Sequence, residues 1–178
     1  MNFNKQPLRA LKLHVPPFQA SWSVFSACIF LVYIWSFIAL FFELPALFMR
    51  SSLAEVLGVA SYILAIALFE SITLFAVLFL ISLVLPEKWS RNQWAASGSI
   101  SALVITFWAI LIQIQGPFIK NWYVVPLLFF LVASNLLIIK FPKLRAAIAS
   151  ITTRISILTN FYLLLSILGI FVVILRNL

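Results

Sequence analysis

The stretch LAEVLGVASYILAIALFESITLFAVLFLISLVL, residues Leu53 to Leu85, has no proline and, beyond Glu55, a single charge, Glu70, near its centre. A helix rises about 1.5 Å per residue and the hydrocarbon core of a bilayer is about 30 Å thick, so this segment is long enough to cross with tilt. It predicts a transmembrane helix, and the rest of the chain is placed relative to it. Ser52-Leu-Ala-Glu55 reads as a capping box at its start, with the Ser52 hydroxyl facing the Glu55 amide and the Glu55 carboxylate facing the Ser52 amide. That gives Glu55 a structural task and leaves Glu70 as the unexplained acid.

Composition defines the solvent. Hydrophobic residues make up 65% of the 178 residues and charged residues 9%, whereas soluble domains carry roughly 25% charge. The expected class is an all-α, polytopic transmembrane helix bundle. Five spans are read, at about 22–42, 53–85, 91–115, 121–140 and 157–176, preceded by a basic tail over residues 1–21. Residues 22–178 form one membrane domain, with no room for a separate soluble one. The first span exceeds the length of a signal-peptide core and is expected to be a retained anchor that stops at Phe42, because Glu43 enters water and Pro45 blocks continuation. Ser90 to Gln93 offers a second capping box, so the third helix is expected to start near Arg91 and run to Gln115, before Gly116-Pro117. Asn121 is a candidate N-cap for the fourth helix. Phe141-Pro142 should end that helix. Residues 143–156 then place Leu144, Ile148, Ile151 and Ile155 on one face, which predicts a separate basic amphipathic helix lying on the membrane surface or docking on a partner.

The net charge of +8 is explained by membrane orientation rather than by nucleic acid. Nine of the twelve Lys and Arg residues fall in the N-terminal tail, the 86–93 loop and the 140–156 segment, which the five-span reading puts on one side. The positive-inside rule makes that side cytoplasmic and the C-terminus external, in a bacterial-type inner or plasma membrane. Arg50, Lys120 and Arg176 lie on the opposite side. Lys140, Lys143, Arg145 and Arg154 are the candidate contacts to anionic lipid headgroups. Trp22, Trp89 and Trp94 fall at the inner interface and Trp122 and Tyr123 at the outer one, whereas Trp35 and Trp108 fall deeper and read as packing residues.

Several chemistries are excluded by residue type. One cysteine, Cys28, inside the first span permits no intrachain disulfide and reads as packing. His14 is the only histidine and stands in a proline-rich tail, so metal and haem sites and a nucleophilic triad lack their ligands or base. There is no glycine-rich phosphate loop and no lysine within a span. No metal or cofactor is expected, and independent catalysis is disfavoured with four acids in total. No internal repeat suggests an inverted-repeat transporter.

What remains is Glu70. A charge at mid-bilayer costs roughly 2.5 to 3.5 kcal/mol on insertion scales, and each surrounding Leu, Ile, Val or Phe offsets roughly 0.3 to 0.6. Insertion therefore does not require a function. Thr73 shares its face, and Thr106 and Ser166 lie at similar depth, which predicts a polar cluster. Gln113 and Asn135 are read as interhelical hydrogen-bonding residues. Gly98, Ser99 and their neighbours Ala95 and Ala102 form a small-residue seam, read first as packing within the chain and otherwise as a homodimer contact.

Two functions fit these residues. One is a structural or accessory subunit that packs against another membrane protein or itself, with Glu70 as an interhelical hydrogen-bond donor. The other is a small channel or carrier in which Glu70, with Thr73 and Thr106, handles protons, cations or a cationic solute.

Overall fold

A computed structural model describes residues 15–84, 93–115 and 123–178, and these are all helix apart from short joints. The five helices are α1 (Phe18–Arg50), α2 (Leu53–Val84), α3 (Trp94–Gln115), α4 (Val124–Lys140) and α5 (Pro142–Asn177). The N-terminal cations, His14, the 86–92 loop and the Lys120–Trp122 turn lie outside the described residues.

Four helices are long and apolar enough to cross a membrane. At 33, 32 and 36 residues, α1, α2 and α5 measure about 50, 48 and 54 Å, well beyond the hydrocarbon thickness. With 17 residues, α4 sits at the lower limit of a spanning helix. The protein is an integral membrane helix bundle.

The bundle is built in the manner of a protein in lipid. Its buried faces carry small and hydroxylated residues, among them Ser26, Ser71, Ser82, Ser99, Thr152, Thr159 and Ser166, while Leu, Ile, Val and Phe dominate the exposed surface. Lipid tails are as apolar as leucine, so burial of large side chains gives no advantage there and close backbone approach does. Many of these hydroxyls are satisfied by their own helices: Ser61 donates to Leu57 O at 2.8 Å, Ser71 to Ala67 O at 2.7 Å and Thr152 to Ile148 O at 3.0 Å, whereas Thr106 and Thr159 Oγ1 have no partner among the described residues.

Two glycines set the closest crossings. A Cβ on Gly98 would lie 2.7 Å from Val24 Cγ2, so α3 reaches α1 only because that atom is missing; a Cβ on Gly169 would lie 3.1 Å from the Ser61 carbonyl oxygen, where α5 crosses α2. The small-residue seam of α3 is thus spent inside the chain, with Ser99 5% and Ala102 0% exposed. A second cluster joins α1, α2 and α5. Tyr33 is fully buried, its hydroxyl shares a hydrogen with Ser166 Oγ and also reaches Leu64 O at 3.3 Å, and its ring lies 4.9 Å from that of Tyr162. At the far end of α5, Asn177 Nδ2 donates to Tyr62 Oη at 2.6 Å and ties the two helices again.

The capping box forms as the sequence predicts: Ser52 N donates to Glu55 Oε2 at 2.8 Å and Glu55 N to Ser52 Oγ at 3.4 Å. Ser52→Ala should lower stability by about 1 kcal/mol. Amide exchange at Leu53 to Val56 is the check, and unchanged protection there would show that the cap contributes nothing.

Two boundaries differ from expectation, and a third falls partly outside the described residues. First, α1 does not stop at Phe42; it carries Pro45 inside and ends at Arg50, where Ser51 N still bonds to Leu47 O at 2.9 Å. Proline removes one backbone donor, and losing one hydrogen bond near the end of so long a helix does not break it. Second, α3 is described from Trp94, with the Gln93 carbonyl accepting from Ser97 N at 2.8 Å, while Ser90, Arg91 and Asn92 of the expected second capping box lie outside the described residues. Third, residues 143–156 are not a separate surface helix but the first part of α5, continuous with the last span. Their polarity is absorbed internally, because Thr153 Oγ1 donates to Ala149 O at 2.8 Å and Ser156 Oγ to Thr153 O at 2.6 Å, so these hydroxyls need no water. The face turned inward is Ile148, Thr152, Ile155 and Thr159, while Leu144 and Ile151 are 42% and 56% exposed.

Phe141 alone separates α4 from α5. Its extended conformation (φ −115°, ψ 92°) is the one favoured before proline, and Pro142 supplies a first helical residue that needs no amide partner. Lys140 lies 5.9 Å from the centre of the Phe141 ring.

Candidate functional site

Glu70 sits on α2, about 26 Å from one end of the helix and about 21 Å from the other. Thr106 lies near the middle of α3, and Val32 and Trp35 near the middle of α1. These three helices do not seal against one another at this level. α2 and α3 both pack on α1 but meet each other sparsely, which leaves a groove along the flank of the bundle with α1 as its floor.

The groove holds two adjoining cavities. One, of about 460 Å³, is lined by Glu70, Thr73, Thr106, Trp35 and Gln113 together with aliphatic side chains; the other, of about 390 Å³, shares Trp35, Glu70 and Gln113 and extends to Ser36 and Glu43. Glu70 is exposed into this groove. No hydrogen bond or ion pair engages its carboxylate among the described residues, and no Lys, Arg or His lines either cavity. Thr106 differs from the other buried hydroxyls nearby: it is 8% exposed and its Oγ1 has no partner among the described residues. Thr73 Oγ1 donates to Phe69 O at 2.8 Å and keeps its lone pairs toward other donors. On the opposite wall, Trp35 Nε1 donates to Gln113 Oε1 at 2.9 Å and fixes both side chains.

The polar cluster expected from sequence is therefore assembled in part. Glu70, Thr73 and Thr106 line one cavity. Ser166 does not belong to it, because Tyr33 stands between and takes the serine hydroxyl, which itself donates to Tyr162 O at 2.9 Å. Nor does Glu70 act as an interhelical hydrogen-bond donor within the chain, since no acceptor among the described residues meets it. Three further residues line the groove. The sequence reads Trp35 as packing and Glu43 as a solvated helix end, and Gln113 as an interhelical hydrogen-bonding residue, which its bond from Trp35 across α1 and α3 agrees with. The available signal was spacing: Thr106 and Gln113 are seven residues apart on α3, and Ser36 and Glu43 seven apart on α1, which puts each pair on one face.

Asn135 bridges two helices. Its Nδ2 donates to Ser101 Oγ at 3.0 Å and its Oδ1 accepts from Ser97 Oγ, so one α4 amide holds α3 at two successive turns. Asn135→Leu should cost about 1 kcal/mol, in the range of hydrogen bonds between membrane helices. A cysteine pair placed across α3 and α4 should then cross-link more slowly in bicelles; an unchanged rate would mean that apolar packing alone holds α4.

Lys143 and Arg154 are exposed on α5, Arg145 is half-buried, and Lys140 ends α4, where a cation complements the helix dipole. Among the described residues no group of three or more His, Cys, Asp or Glu side chains converges to hold a metal. Together the fold and the groove define a class: a helical membrane bundle with one acidic, laterally open cleft at mid-depth. No protein-family model matches the chain, and no similar curated protein or solved structure was found.

Proposed function

We propose that this protein is a small carrier or channel component that takes up a cationic species at mid-membrane through Glu70. The observation that carries this reading is a carboxylate with no partner among the described residues, exposed into a cavity whose wall also holds the buried, unpartnered Thr106 hydroxyl. An acid placed there for packing would meet an acceptor or donor from a neighbouring helix, because an unsatisfied polar group in hydrocarbon costs several kcal/mol. Instead the Glu70 carboxylate stands exposed beside an open space of ligand size.

The accessory-subunit reading keeps one supporting observation, the sideways opening of the groove, which a partner helix bearing a cation could cover. Purified protein in liposomes distinguishes the two. Wild type should support proton or cation flux, and Glu70→Gln should reduce it by about tenfold or more while the particle keeps its size and helicity. Absence of flux in every assembly state of the wild type would defeat the carrier reading in favour of the subunit.

A further inference from the structure

The cavity at Glu70 points to a ligand class narrower than cations in general. We propose that it is a binding site for a hydrophobic organic ammonium ion that enters from the bilayer through the gap between α2 and α3. This inference rests on the cation-handling reading and names its substrate.

A hard metal ion is poorly served here. Calcium takes six to eight oxygen ligands and magnesium a near-ideal octahedron, whereas this cavity offers one carboxylate, two threonine hydroxyls and one amide oxygen. The rest of its wall is aliphatic or aromatic, with Leu74, Val77 and Ile105 among the lining residues. An ammonium group has three N–H donors. Glu70, the exposed Thr73 Oγ1 and the remaining lone pair of Gln113 Oε1 supply acceptors, and an attached hydrocarbon body fills the apolar remainder. The Trp35 ring, held by its bond to Gln113, adds an aromatic wall suited to a cation or an aryl group. The volume of about 460 Å³ lies in the range of sites for small organic molecules. Access through the flank favours solutes that already partition into lipid, and a strongly hydrated inorganic ion would lose its water on such a path. Glu43, on the adjoining cavity, provides a second carboxylate toward the end of the bundle that carries Arg50 and Arg176.

Three probes that differ only in head group test this: phenylbutylamine, phenylbutanol and phenylbutyrate, titrated by calorimetry into the full-length protein in neutral-lipid nanodiscs against empty nanodiscs. The amine, cationic at neutral pH, should bind saturably and about tenfold or more tighter than the alcohol. The butyrate should not bind. Glu70→Gln should erase the preference for amine over alcohol, and Glu55→Gln, which removes an acid elsewhere, should leave both unchanged. Equal binding of amine and alcohol to the wild type, a preference that survives Glu70→Gln in a folded protein, or stoichiometric displacement of the amine by sodium would each overturn the proposal. Flux of small cations that depends on Glu70 without amine binding would remove the ligand class and leave the carrier reading standing. Amine binding without flux of any cation would do the reverse.

Discussion

Gly98→Leu should leave little folded protein. The Cβ it introduces would sit 2.7 and 2.9 Å from the two methyl carbons of Val24, a fully buried residue whose branched side chain has no free rotamer to retreat to. Cys28, Leu78 and Trp94 pack in the same cluster, so α1 cannot shift without opening contacts to both α2 and α3. Overpacking of this kind costs about 1 to 3 kcal/mol in a well-packed core, and a full leucine at a backbone crossing belongs at the upper end. The expected measurement is a lower midpoint of heat or detergent unfolding in bicelles, with loss of the monodisperse particle. Gly98→Ala should do the same more mildly, and Val24→Ala should restore much of that loss by making room for the new methyl. If Gly98→Ala unfolds no earlier than wild type, the α1–α3 crossing is looser than described and Gly98 does not set it.

That crossing also shows what one sequence can and cannot convey. The small residues at 95, 98, 99 and 102 announced a close helix approach, because spacing alone places them on one face. Their partner was not announced. Any helix with a complementary face would serve, and only the three-dimensional packing chooses Val24. The same limit applies to polarity. Residues 143–156 read as an amphipathic surface helix, yet Thr152, Thr153 and Ser156 each return a proton to a carbonyl three or four residues earlier, and the segment runs in a helix continuous with the last span. Pro45 reads as a terminator, yet sits within α1 near its end. By contrast the Ser52 and Glu55 pair was legible in full, because a capping box is closed within four residues and needs nothing from the rest of the fold.

The candidate site divides along the same line. Depth can be counted along each helix, which brings Glu70, Thr73, Thr106 and Ser166 to one level; azimuth cannot, and the cavity wall takes in the first three with Trp35 and Gln113 and leaves Ser166 out. Ser166 lies at a suitable height but is captured by Tyr33, an interaction that no local pattern encodes. The openness of the groove is likewise a property of three helices together. It arises because α2 packs mainly on α1 and α5, and α3 on α1 and α4, so the two meet each other only sparsely.

Glu70→Leu should make the protein more stable and less active at once. Leucine at the centre of a membrane helix is favourable by up to about 0.6 kcal/mol, whereas an acid there is unfavourable by roughly 2.5 to 3.5, so the substitution should favour the inserted, folded bundle by about 3 to 4 kcal/mol. No described residue loses a hydrogen bond when the carboxylate is removed, and the cavity around it accepts the shorter apolar side chain without strain. Cation flux in liposomes should meanwhile fall to the level of empty vesicles. The sign of the stability change decides between two meanings of this acid. A carboxylate that serves as a hidden structural link would, on replacement by leucine, lower the unfolding midpoint in bicelles as the orphaned partner is exposed. A carboxylate retained for what it binds should raise that midpoint, because strain kept at a functional site is relieved when the function is deleted. Higher stability together with lost flux is therefore the result that assigns Glu70 to a ligand, and lower stability would return it to the architecture of the bundle.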